Sequence, residues 1–229
     1  MMQRFTIFAD VNILIMKKIT CALFDMDGVM LDTESQYDIF WKDAGKRYGI
    51  DIPNFEKVIK GTTLPNILKK YFSEFTKEQL DILVEEIDKF EQQMVYPEIP
   101  GSIAFVNSLK ALGMKVGLVT SSGITKLKEV YKVKHFDTLF DTIVYDARIT
   151  HGKPAPDCYL LAAKDLGVNP EECVVFEDSF AGIESGLAAG MTVIGLSTTH
   201  PAEKVKEKGV KEISDFTEMN YDKLLELVK

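Results

Sequence analysis

Four short apolar runs, three of them ending in polar residues, constrain this chain most. They are ITCALF (19–24), KVGLVT (115–120), CVVFED (173–178) and TVIGL (192–196). None alternates cleanly between apolar and polar residues, which is the pattern of strands covered on both faces. Helical patterns lie between them. SIAFVNSLKALG reaches Gly113, PDCYLLAAKDLG reaches Gly167, and FAGIESGLAAG runs over 180–190. A glycine just past the last periodic residue is a normal helix stop. Strand alternating with helix predicts an α/β fold, a right-handed doubly wound parallel sheet. In such sheets the ligand crevice lies at the carboxyl ends of the strands.

Residues 33–97 read differently. YDIFWKDAGKRYG places Ile39, Phe40 and Ala44 near one face, and KEQLDILVEEIDKFEQQM carries the stripe Leu80, Leu83, Val84 and Ile87. No segment there reads as a strand, and YPEIPG (96–101) closes it with two prolines. The expectation is an all-helical cap domain over 33–97, inserted after the first strand of a core formed by 16–32 and 98–229. Tethered at both ends beside that strand, it would roof the crevice and open and close over it. Residues 1–15 lack a signal-peptide cleavage pattern and are read as an extension upstream of the native domain.

Bulk properties exclude several partners. The net charge of -8 argues against a nucleic-acid surface, and no run approaches the ~20 apolar residues of a membrane span. Cys21, Cys158 and Cys173 are odd in number and not spaced as a metal knuckle, so reduced cytoplasmic thiols are expected. A monomer acting on a small molecule is the expected form.

The chemistry concentrates at strand ends. The first run ends in Asp25-Met26-Asp27, the second in Thr120-Ser121-Ser122, and the third in Glu177-Asp178; HGKPAPD supplies Lys153. Crowded carboxylates need a cation, and oxygen ligands in an open site suit Mg²⁺. Asp25 and Asp27 would point the same way on a regular strand, but Gly28 allows a sharp turn that separates them. One could then attack a substrate while the other handles its proton. Thr120 and neighbouring N–H groups could hold phosphate oxygens while Lys153 neutralises charge, as phosphoryl transfer requires.

With FDMDGV (24–29), VTSS (119–122), GKPAPD (152–157) and FEDSFAGIESG (176–186) in this order, the chain resembles the haloacid dehalogenase-like superfamily over about residues 17–229. Within it, the resemblance is to the small-metabolite phosphatases and β-phosphoglucomutase-like proteins. It implies a Rossmann-like core with a helical cap, Asp25 as nucleophile and Asp27 as general acid/base. It also implies Mg²⁺ held by Asp25, the Asp27 carbonyl, Asp178 and Glu177 (directly or through water), and a phosphoryl group held by Thr120, Ser121 and Lys153. Dehalogenases of the superfamily lack the second aspartate, so Asp27 implies an oxygen leaving group. The mutases carry a cap His at the position of Tyr37 and a cap Arg at that of Leu64. A leucine cannot replace a bidentate phosphate clamp, so the expectation is a phosphatase of a small phosphorylated metabolite such as a sugar phosphate. A phosphosugar mutase is the alternative, and a non-catalytic binding protein is disfavoured by the intact motifs. Cap contacts to substrate are expected from Lys60, Thr62 and Tyr37.

Other residues have plainer readings. Trp41 is expected in the cap core, Asp157 at a helix N-cap, and His151 and His200 in exposed loops. His135 is expected at the C-terminal dipole of the preceding helix. KLKEVYKVK (126–134) reads as a solvated helix face.

Overall fold

The computed structural model describes residues 18–60 and 62–229. The extension read over 1–15 lies outside them. Six strands form one parallel sheet: β1 (Cys21–Phe24), β2 (Lys115–Val119), β3 (Thr142–Val144), β4 (Cys173–Glu177), β5 (Thr192–Leu196) and β6 (Lys211–Ile213), in the order β3-β2-β1-β4-β5-β6. The four apolar runs became the four inner strands. The three-residue edge strands β3 and β6 have no counterpart among those runs, because so short a segment carries no period and forms only by pairing with its neighbour.

Four helices leave after β1: α1 (Glu34–Arg47), α2 (Phe55–Val58), α3 (Leu64–Tyr71) and α4 (Lys77–Gln93). Those of the core are α5 (Ser102–Ala111), α6 (Ile124–Lys134), α7 (Phe136–Leu139), α8 (Asp157–Leu166), α9 (Phe180–Ala188), α10 (Ala202–Lys206) and α11 (Tyr221–Leu227). The strands alternate between two buried faces. Ala22, Phe24, Val116, Leu118, Val174 and Phe176 pack with residues of α5, α6, α7 and α11. Cys21, Leu23, Val119, Cys173 and Val175 pack with residues of α8, α9 and α10. Both faces are apolar, which is why each inner strand reads as an uninterrupted apolar run. Phe24 stacks on Phe176 with ring centroids 4.8 Å apart, and Phe105 and Phe216 close around them. All three cysteines are buried free thiols.

The helical insertion has its own core, in which Trp41 packs with Phe55, Ile67, Phe72, Leu83 and Ile87. A reciprocal capping box starts α4: Thr76 Oγ1 accepts from the Gln79 N–H, and Gln79 Oε1 accepts from the Thr76 N–H at 2.9 Å. The outgoing and returning linkers are tied side by side. The Asp32 N–H donates to the Pro97 carbonyl (2.9 Å), and the Ile99 N–H to the Met30 carbonyl (3.0 Å). Among the described residues, no helix is long and apolar enough to cross a membrane.

Candidate active site

The strand order reverses at β1, so β1 and β4 flank the point where their following connections diverge and a crevice opens. Asp25 stands one residue past β1, and its N–H donates to the Phe176 carbonyl at 3.0 Å. Its Oδ1 accepts from Lys153 Nζ at 2.5 Å. Lys153 also pairs with Glu177, and its side chain is 2% exposed. Glu177 sits beneath this pair with both oxygens engaged. Oε1 accepts from Lys153 and from Tyr159 Oη (2.9 Å); Oε2 accepts from the Asp178 and Ser179 N–H groups and from Ser179 Oγ, each at 3.1 Å. Gly182 makes room for this arrangement, since a Cβ there would lie 1.8 Å from Glu177 Oε1.

Oxygens of Asp25, Glu177 and Asp178 gather within 4.8 Å of one another. Asp25 and Asp178 line the cavity above, whereas Glu177 lies behind them. Burial first, then Glu177 and Asp27, pushes the Asp25 carboxyl up to about 8 although Lys153 opposes them. Burial with Glu177, Glu34 and Asp25 nearby holds Asp178 well above its ordinary value, against a hydrogen bond from Thr199. Such an all-oxygen group of crowded acids fits a hard divalent cation.

Asp27 diverges from Asp25, as the Gly28 argument required. Gly28 has φ +78°, and a Cβ on it would lie 2.1 Å from Asp178 Oδ2. Asp27 Oδ1 accepts from Thr33 Oγ1 and Lys126 Nζ, and Oδ2 accepts from Ser122 Oγ at 2.8 Å. Burial raises its pKa, but Lys126 and the hydroxyl donors outweigh that and hold it below the ordinary value. The two acids therefore occupy separate environments, Asp25 with Lys153 and Asp27 with Lys126.

Lys126 corrects the reading of KLKEVYKVK as a solvated face. Lys128 and Lys132 are exposed, but the Lys126 side chain is fully buried, with Nζ 4.3 Å from the Tyr37 ring centroid. It lies in the first turn of α6, directly after the polar end of β2. Side chains tilt toward a helix N-terminus, so this one reaches back into the crevice. That position was the available signal. Thr33, Tyr159 and Glu91 carry no signal of this kind in the sequence, and Ser122, expected at the crevice from the end of β2, gains its partner Asp27 only here.

The remaining sequence candidates fall as follows. Thr120 is buried, and its Oγ1 accepts from the Ser122 N–H (3.0 Å); α6 is capped by Gly123, so neither Thr120 nor Ser121 is its N-cap. Ser121, Lys60, Thr62, Tyr37 and Leu64 line the cavity, whose volume is about 160 Å³. Tyr37 Oη donates to Glu91 Oε1 at 2.7 Å. Lys60 Nζ lies between Glu34 Oε2 (2.6 Å) and Asp38 Oδ1 (3.0 Å). Asp157 is the first residue of α8 rather than its N-cap, and pairs with the exposed His151 (2.8 Å). His200 is half-buried and stacked on Phe180 at 3.9 Å, not free in a loop. His135 ends α6 in the left-handed conformation.

Comparison with known proteins places this geometry. Residues 22–196 match the family described as haloacid dehalogenase-like hydrolase. The chain is 31% identical over 190 residues to hexitol phosphatase A of Escherichia coli (strain K12), spanning 81% of this chain and 86% of that protein. It is 32% identical over 213 residues to glycerol-1-phosphate phosphohydrolase 2 of Saccharomyces cerevisiae, spanning 84% and 80%. Among solved structures, a family IA, variant 3 hydrolase of Entamoeba histolytica superposes with TM-score 0.80 at 27% identity, covering 92% of this chain and 99% of that one. A β-phosphoglucomutase of Clostridium difficile shares the fold with TM-score 0.74 at 24% identity, covering 92% and 97%. On the match over residues 22–196 and the identities to these relatives, the chain belongs to the haloacid dehalogenase-like hydrolases.

Proposed function

We propose that the protein is a Mg²⁺-dependent phosphatase of a small phosphorylated metabolite, a sugar or polyol phosphate, working through an aspartyl-phosphate on Asp25. One observation carries this reading: the two acids of DMD have different partners. Asp25, against Lys153, is the nucleophile in this reading, with a bound divalent cation offsetting the burial and acid neighbours that otherwise keep its carboxyl protonated. Asp27, held ionised by Thr33, Ser122 and Lys126 in the resting site, is the acid/base in this reading: it takes up the proton of the phosphate monoanion, gives it to the leaving oxygen, and then takes one from water. Thr120, Ser121 and Lys153 hold the phosphoryl oxygens, and Glu177 orients Lys153. Asp25, Asp178 and the Asp27 carbonyl would hold Mg²⁺, with Glu177 behind them; the bound ion would neutralise charge on the transferring group.

In this reading residues 33–97 act as the cap and 16–32 with 98–229 as the core. The cap contacts substrate through Lys60, Thr62 and the Tyr37 ring, and the setting is a cytoplasmic monomer. The relatives named as phosphatases of hexitol and glycerol phosphates support the substrate class. Tyr37 and Leu64 stand where the mutases carry His and Arg, which favours hydrolysis over the mutase alternative. The test is a phosphometabolite screen with Mg²⁺ that measures phosphate release and isomer formation together. Phosphate release should dominate, and Asp25→Asn should lower it about 10³-fold or more. Isomer formation without phosphate release would sink the phosphatase reading.

A further inference from the structure

The cavity has two unlike walls. Its floor, at the strand ends, carries Asp25, Thr120 and Ser121, with Lys153 buried beside Asp25. Its roof, on the helical insertion, carries Glu34, Asp38, Glu56, Asp88 and Glu91 against a single ammonium, Lys60. Lys60 is the one cation among the described residues lining the cavity, and it is already gripped by Glu34 and Asp38 at 2.6 and 3.0 Å. The nearby Lys126 is committed to Asp27 and lies against the Tyr37 ring. Ile59, Leu64 and Ile67 complete the roof with apolar surface.

A second phosphate or a carboxylate reaching this roof would lose its water and meet five acids, apolar surface and the lone Thr62 hydroxyl, beside an ammonium that is already paired. Hydroxyl groups can donate to the roof carboxylates, and an ammonium can pair with them. The same asymmetry orients the ligand, because an anionic end is favoured only at the floor. We propose that the roof selects by charge: the substrate is a phosphate monoester whose far end bears hydroxyl or, better, ammonium groups and no second anion. The proposal rests on the phosphatase reading and adds the substrate's charge to it.

The experiment uses the full-length protein with Mg²⁺ and a matched set: glucose 6-phosphate, glucosamine 6-phosphate, 6-phosphogluconate and glucose 1,6-bisphosphate. Each is measured for kcat/KM by phosphate release and for inhibition of 4-nitrophenyl phosphate hydrolysis, which reports binding even where a sugar is not turned over. The expected order places the amino sugar about threefold or more above glucose 6-phosphate, and both anionic compounds at least about tenfold below it. In the Glu34→Gln/Asp38→Asn variant, Lys60 is released, and the ratio of anionic to neutral ligand should rise at least about tenfold. Equal binding of all four, a preference for the anionic pair, or an unchanged ratio in the variant would overturn the charge inference while leaving the phosphatase reading intact. Absence of turnover on every substrate, the aryl phosphate included, would instead overturn the phosphatase reading.

Discussion

Replacing Lys126 with Met tests whether a lysine in a helix that reads as solvated is structurally committed to the site. Methionine keeps an unbranched chain of similar reach and removes the ammonium. Removing one partner of a fully buried ion pair costs about 3–5 kcal/mol, because the other charge is left uncompensated. Here Asp27 is 16% exposed and keeps Thr33 and Ser122 as donors, so water and hydroxyls offset part of that. A loss of about 2–3 kcal/mol is expected, including the contact over the Tyr37 ring. For a chain of this size that is a fall in Tm of about 4–12 °C. Urea unfolding of Lys126→Met, Asp27→Asn and the double variant closes a cycle. The double variant should be more stable than the sum of the single losses predicts, by about 1.5 kcal/mol or more, since neither charge is then stranded. A single-variant loss below about 0.5 kcal/mol, or strictly additive losses, would refute the pairing argument.

Two further outcomes follow from the acid cluster. The Asp25 carboxyl, pushed up to about 8 from 3.8, holds its proton more tightly folded than unfolded. Its contribution to stability is therefore full below about pH 4 and is lost as pH rises to about 8. Protons and a divalent cation compete for these oxygens, so Mg²⁺ should raise Tm more at alkaline than at mildly acidic pH; an equal rise at both would count against the site. Gly28→Ala should cost about 1–3 kcal/mol, because the left-handed backbone is strained for alanine and the new methyl would displace Asp178. The Mg²⁺-dependent rise in Tm should shrink with it, and a variant with normal stability and normal response would contradict the geometry.

The inner sheet was legible because its physics is local. Strands buried on both faces must be apolar throughout, and β1, β2, β4 and β5 say so in four or five residues each. The acids at their ends were legible for the complementary reason, since Asp25, Asp27, Glu177 and Asp178 would be expensive anywhere without a partner or a cation. Edge strands β3 and β6 carry no such signature. Lys128 and Lys132 do face water, so spacing along the helix hides Lys126; the only cue is its place in the first turn after the polar end of β2.

Chain order and residue type alone therefore determined the fold class, the end of the sheet that carries the chemistry, and the acids and lysine expected there. Those are consequences of burying apolar runs and of exposing charge where strands stop. The tertiary structure alone decided how the charges are shared: Lys153 to Asp25 and Glu177, Lys126 to Asp27, and Lys60 to Glu34 and Asp38. Pairing depends on distances of a few ångströms between residues up to 128 positions apart, and no local pattern in a sequence encodes which cation reaches which acid.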